Sequence, residues 1–364
     1  MMQPFADCKL SQTHWIVPVS HHRYFPGMTQ VLPTASGLPF DDFRALLAKL
    51  PRLDEAAARR VREDFARMEK PAGSLGRMED VGAWLAGVSG RMPAVIRPIV
   101  AIFAGNHGVA RHGISPQAVD ATQRSVELAA AGGAAVNQIC IAYDLGLKLY
   151  DLALDLPTAD FTEEAALDER GCAATMAFGM EAVAGGVDLI ALGSVGVGGS
   201  TAAAAISAAL FGGSGADWIG PDAGADAAMM GRKAEIVDRG LKLHAAHLKD
   251  PFEMLARFGG REFAAVAGAI LAARVEKAPV LLDGFATTAA AAVLHRIDPA
   301  ALDHCLLSHV STEPGHRKLA DKLGLKPLLD LGIGQGEGTG AALAAGLVKA
   351  AALIHSGMAA ALPK

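Results

Sequence analysis

Cysteine is scarce in this chain: Cys8, Cys140, Cys172 and Cys305 stand far apart, with no C-x-x-C pair. That spacing disfavours a zinc knuckle and fits reduced thiols in a cytoplasm. Basic charge is also short, with 33 Lys and Arg against 38 Asp and Glu and a net charge of −5. A nucleic-acid partner would need a dense basic face, so none is expected, and any anionic substrate must be held by local donors. Aromatics reach only 5%, and much of the 51% apolar fraction is alanine, a bias toward small residues. Charges recur too often for a membrane span of about 20 apolar residues. The N-terminus lacks the apolar h-region of a secretion signal, because Asp7, Lys9, His21, His22 and Arg23 are scattered through it. These absences predict a cytoplasmic protein with no membrane partner.

What is present follows a simple order. At 364 residues the chain can hold one large domain or two. Residues 1–37 mix Pro, His, Ser and aromatics without period and read as a loose tail, with Met28 an alternative start. Helical periodicity follows from Leu38 to Leu50, Leu53 to Met68 and Met78 to Val88. From Pro98 the pattern changes to strand–loop–helix alternation. Strands are expected at Ile99–Ala104, Leu147–Leu154, Val187–Leu192, Pro279–Gly284 and His304–Val310, with an apolar run at Pro327–Leu331. Helices are expected at Ala118–Leu145 (broken at Gly132-Gly133), 163–183, Ala202–Phe211, 230–248, 251–258, 261–276 and Thr287–His295, and in the final Ala/Leu-rich run from Ala341. Such alternation implies right-handed crossovers and a parallel sheet, with the ligand at the carboxyl ends of the strands. Asn106, Ser194, Asp283, Ser311 and Glu337 each fall just after a strand or an apolar run, which places the candidate site there.

The stretch Leu331–Gly340 sets one carboxylate, Glu337, among five glycines ahead of a helix. Glycine lets backbone approach a ligand, and a helix start aims free N–H groups at it. Glu337 is then either a catalytic base or a carboxylate favoured by the helix dipole. In the loop Gly193–Thr201 glycines are followed by two hydroxyls, Ser200 and Thr201, and a helix start, which suits phosphate. It has no Gly-Lys-Ser/Thr, and residue 201 is Thr where a dinucleotide fingerprint needs Gly. His107 and His112 have no carboxylates at metal-ligand spacing, so no metal is expected. Asp283 reads alternatively as a cap for the helix after it, and Lys233 as a solvated charge.

Taken together, the motifs match a family. Lys70-Pro-Ala-Gly-Ser-Leu-Gly-Arg77, Phe103-Ala-Gly-Asn-His-Gly-Val109, Asp283-Gly-Phe285, His309-Val-Ser-Thr-Glu-Pro-Gly-His316 and Gly336-Glu-Gly-Thr-Gly-Ala341 occur in family order. The chain resembles nicotinate-nucleotide–dimethylbenzimidazole phosphoribosyltransferase from about residue 38 to 358. The resemblance implies an α/β fold: a Rossmann-like parallel sheet with helices on both faces (98–345), plus a small helical domain built from 38–97 and 346–364. It implies a homodimer and no cofactor. Its substrates would be nicotinate mononucleotide and an azole base, with Glu337 as the general base. Phosphate and nucleotide would be met by Gly196, Gly198, Gly199, Ser200, Thr201, Lys233, Asp283, Ser311, Gly336 and Gly338. The acceptor base would be met by Asn106, His107, Ser115, Ser194, Val195 and Gln335. Ser194 stands where the family usually has a second glutamate, Gly199 where it has asparagine, and Gln335 where it has an apolar residue. The rival from another class is a non-catalytic paralogue that binds nucleotide or azole as a sensor or partner subunit. An NAD-dependent oxidoreductase, the third reading, would retain NAD tightly on purification.

Overall fold

The computed structural model describes residues 39–222 and 224–360; the expected tail, 1–37, lies outside them. Three helices, α1 (Pro39–Leu47), α2 (Glu55–Arg67) and α3 (Arg77–Ser89), precede β1 (Pro98–Ala104). Next come α4 (Ala121–Ala130), α5 (Ala135–Tyr143), β2 (Gly146–Asp151), α6 (Glu169–Met180) and β3 (Leu189–Val195). Four helices, α7 (Gly199–Phe211), α8 (Ala227–Leu243), α9 (Pro251–Phe258) and α10 (Arg261–Val275), separate β3 from β4 (Val280–Leu282). The chain closes with α11 (Phe285–Ile297), β5 (Cys305–Leu307), α12 (Pro314–Leu323) and α13 (Thr339–Ala359).

All five strands are parallel, in the order β2-β1-β3-β4-β5. Because side chains alternate along a strand, β3 splits cleanly. Ile190 and Leu192 join the core that holds α6, α7 and α10, while Leu189 and Ala191 join the one under α13. Burial on both faces is why these strands read as unbroken apolar runs. The strand order reverses direction between β1 and β3, which opens a crevice at their carboxyl ends.

Residues from both chain ends form a third apolar cluster. Val61, Phe65 and Met68 of the α2 region pack with Ala83 and Ala86 of α3 and with Ile354 and Met358 of α13. α1 joins the main core instead, where Phe40 stacks on Phe252 with ring centroids 5.2 Å apart.

Several expectations are corrected. β3 runs to Val195, because the ladder with β1 continues through Phe103↔Ser194 and Ala104↔Val195; Ser194 therefore lies inside the strand. α6 starts at Glu169, where the Asp168 carboxylate accepts the Gly171 N–H, not at residue 163. Pro314–Leu323 is a helix to which the sequence assigns no element: Pro314 occupies the first helical turn, and Gly324 ends it in the left-handed region. The apolar run at Pro327–Leu331 contributes a parallel bridge, His309↔Leu329. Two stretches, 121–143 and 339–359, are long and apolar enough to cross a bilayer by composition, which the sequence reading did not anticipate. The first is two helices, broken between Ala130 and Ala135, and the second lays its alanines on the sheet.

Candidate active site

A cavity of about 490 Å³ opens at the carboxyl ends of the strands. Of the residues expected from sequence, Ser115, Ser194, Val195, Gly196, Gly198, Gly199, Ser200, Asp283, Ser311, Gln335, Gly336 and Glu337 line it. Asn106, His107, Thr201, Lys233 and Gly338 do not, and stand behind this lining.

Four helices begin here. α7 is capped by Gly198, α11 by Gly284 and α12 by Glu313, all lining the cavity; α13 is capped by Gly338, next to Glu337. Each helix start carries roughly half a positive charge, although at α13 the Gly338 and Ala341 amides are already taken by Asp283. Among the described residues, no Lys or Arg side chain lines the cavity, so these helix starts are the local donors that a chain of net charge −5 needs. Gly198 has φ +97°, and a β-carbon there would stand 3.3 Å from the His107 Cβ. A valine would carry about 1–2 kcal/mol of backbone strain and fill the approach to the amides. Gly198→Val is therefore expected to weaken binding of a 5′-phosphorylated nucleotide roughly tenfold or more. Titration calorimetry checks this, and unchanged affinity would move the phosphate away from α7.

Five carboxylates line the cavity: Asp222, Glu262, Asp283, Glu313 and Glu337. Four already bond other groups of the protein. Asp283 accepts Gly338 N–H (3.0 Å) and Ala341 N–H (2.8 Å), so it caps α13 and not the helix that follows it in sequence. Asp222 pairs with Lys233 at 2.7 Å. Glu262 meets His107 Nε2 at 2.5 Å. Glu313 accepts the Asp222 N–H at 2.7 Å; its burial, and then the nearby Asp222 charge, raise its pKa. Glu337 alone faces only a side-chain amide, accepting from Gln335 Nε2 at 3.2 Å. It adopts φ +68°, unusual for a residue with a side chain, and its N–H donates to Ser194 O.

The residues behind the lining hold it in place. Lys233 is fully buried, which excludes the solvated alternative, and donates to Gly220 O (2.8 Å), Asp222 Oδ2 (2.7 Å) and Ser200 Oγ (3.2 Å). Asn106 donates to Leu154 O, and Thr122 Oγ1 accepts the Val197 N–H, tying α4 to the glycine loop. His107 and His112 do have carboxylate partners, Glu262 and Asp160, brought by the fold from distant sequence. No group of three or more His, Cys, Asp or Glu suited to a metal occurs among the described residues.

Ser311 is positioned by His316. Its N–H donates to His316 Nδ1 at 3.0 Å, which leaves the ring proton on Nε2, 3.0 Å from Thr288 Oγ1; that hydroxyl in turn donates to Gly284 O. From α12 the neutral ring thus ties the Ser311 loop to the first turn of α11. Burial above all, then the neighbouring His309, pushes the His316 pKa down to about 3; burial does the same at His304, buried just before β5. A histidine with a depressed folded-state pKa loses its stabilising contribution as pH falls below the unfolded value of about 6.5. Each is expected to cost about 2 kcal/mol by pH 5. Urea titrations at pH 7.5 and 5 measure this, and His316→Gln should flatten part of the difference.

Sequence reasoning gave no role to Glu262, Glu313, His309 or Phe285, although all four line the cavity. Glu313 and His309 sit inside a quoted motif, which was their signal. Glu262 opens α10 and looks like an ordinary first-turn acid, so only the fold reveals it.

The comparisons with known proteins point to one family. A family model described as Phosphoribosyltransferase matches residues 50–362. The nicotinate-nucleotide–dimethylbenzimidazole phosphoribosyltransferase of Rhizobium etli is 62% identical over 326 residues, 90% of this chain and 96% of that protein. The protein of the same name from Brucella anthropi is 62% identical over 327 residues, again 90% and 96% of the two chains. The crystal structure of the enzyme so named from Thermus thermophilus superposes with a TM-score of 0.77 at 34% identity, covering 84% of this chain and 96% of that one. With a family model over most of its length and relatives of this identity, the chain belongs to the nicotinate-nucleotide–dimethylbenzimidazole phosphoribosyltransferase family.

Proposed function

We propose that this enzyme moves the 5-phosphoribosyl group of nicotinate mononucleotide to 5,6-dimethylbenzimidazole or a related azole. The products are α-ribazole 5′-phosphate and nicotinate, on the route to the lower nucleotide of cobalamin. A ring nitrogen of the azole attacks C1′, the bond to nicotinate breaks with its electron pair, and the β configuration becomes α. As the new bond forms, the azole N–H becomes acidic and its proton passes to Glu337. Acid–base help of this kind contributes roughly 10²–10⁴-fold. Holding azole and ribose in line should contribute more. The phosphate is read onto the amides at the start of α7, beside Gly196–Ser200, and the azole onto the side formed by Ser115, Ser194, Val195 and Gln335.

The observation that carries this reading is that Glu337 is the one lining carboxylate whose oxygens are left to a side-chain amide. Each of the other lining carboxylates bonds a backbone amide or a buried cationic or imidazole side chain, although Glu262 and Glu313 do so through one oxygen and keep a buried Oε2 without a partner. Nothing in that geometry favours a non-catalytic binder. Incubating the purified protein with nicotinate mononucleotide and dimethylbenzimidazole should yield α-ribazole phosphate, detected by mass. Silence with every azole tried would return the binding paralogue to first place.

The reading extends to a cytoplasmic homodimer. Buried, unpaired thiols at Cys140, Cys172 and Cys305 support a reducing compartment. Apolar side chains exposed on α5, Ile141 at 76% and Tyr143, support a partner surface. Sedimentation equilibrium reports the assembly directly.

A further inference from the structure

We propose that Asp283 is a positioning residue that holds the base Glu337 in its working conformation, and does not itself touch substrate. This rests on Glu337 being the base. Glu337 and Gly338 both have positive φ, +68° and +77°, and stand just before α13. For a residue with a β-carbon that conformation is disfavoured and persists only where the surroundings impose it. The Asp283 carboxylate supplies the constraint from the end of β4. Oδ2 takes the Gly338 N–H and Oδ1 the Ala341 N–H, so both oxygens are committed to the turn that presents Glu337.

Two further features close the turn in. Gly193, in β3, has no side chain because a β-carbon there would lie 2.6 Å from Gly338 N and 2.7 Å from Gly338 Cα. On the far side the His309 ring lies against Gly340, where a β-carbon would reach its Cδ2 at 2.0 Å. His309 Nε2 stands 3.4 Å from Asp283 Oδ1 and has no hydrogen-bond partner of its own. Asp283 is 1% exposed, although it borders the cavity. A carboxylate so placed, with each oxygen used once by backbone, is a clamp on the base rather than a ligand for ribose.

The test separates acting through Glu337 from acting on the nucleotide. Asp283→Asn keeps the shape but turns one oxygen into an NH₂ that faces an N–H donor. It is expected to lower kcat by roughly tenfold to a hundredfold, as misplacement of a reacting group does, with KM for nicotinate mononucleotide unchanged within about twofold. In a Glu337→Gln background the same substitution should cost nothing more, because residues that act as a unit are not additive. A raised KM with kcat kept, or losses that multiply in the double variant, would overturn the proposal. If Asp283→Asn does not fold, Asp283→Ser, whose hydroxyl still accepts from one amide, enters the same comparison. Hydrogen exchange on the wild type needs no variant: the Gly338 and Ala341 amides should be strongly protected, and rapid exchange at either would refute the clamp. Wild-type activity on the nucleotide is the control, so failure of the proposed reaction is told apart from failure of the clamp.

Discussion

Glu337→Gln is expected to slow turnover by roughly 10²-fold or more, about 3 kcal/mol of barrier, while leaving nucleotide affinity nearly unchanged. Glutamine keeps the size of the side chain and can still meet Gln335, but it takes no proton near neutral pH. The alternative role, a carboxylate favoured by the start of α13, predicts a different pattern. Losing it would cost about 1 kcal/mol or less of stability and leave the rate intact. Ser194 sharpens the contrast, since it stands where the family usually carries a second glutamate. Of the nearby acids, Glu262 bonds His107 through Oε1 and Asp283 gives both oxygens to helix amides. Steady-state kinetics beside a thermal melt decides the matter. Near-normal turnover in the variant would remove Glu337 from the mechanism and with it the reading of the whole cavity.

The second large effect is on folding. Lys233→Met should lower the unfolding free energy by about 3 kcal/mol, because removing one member of a buried ion pair leaves its partner uncompensated. The ammonium is fully buried and holds three oxygens, those of Gly220, Asp222 and Ser200. Without it, Asp222 and Glu313 become neighbouring acids with no cation between them. A solvated lysine would give a change within about 0.5 kcal/mol. Urea denaturation distinguishes the two outcomes, and adding Asp222→Ala to Lys233→Met should recover part of the loss.

The fold was legible where one principle governed a whole segment. Apolar runs punctuated by glycine gave the parallel strands, and the positions after them gave most of the cavity lining, from Ser194 to Gln335. The sequence was opaque where tertiary partners decide. Nothing local says that Asp283 caps a helix 55 residues away, that Lys233 is inside, or that Glu262 reaches His107. The missed α12 has a narrower cause: Pro314 and Gly315 signal a turn and a helix start equally well, and only the packing of Leu319 and Leu323 resolves the choice. The apolar pattern ends the strand at Leu192, short of Ser194, because the length of a strand depends on its neighbour, here Phe103 and Ala104 of β1.

The four helix starts around the cavity also bear on how fast substrate arrives. Their field is short-ranged, whereas the excess of carboxylates over the whole surface acts at a distance. An anionic nucleotide is thus mildly repelled by the far field and held only once inside. Salt at physiological strength screens charges beyond about 8 Å and reaches the buried helix ends far less. Ionic strength should therefore leave capture unchanged or raise it slightly, the reverse of an enzyme that steers its substrate with surface lysines. Such a site gives up speed of encounter and gains selectivity, since only an anion that fits among the amides is retained.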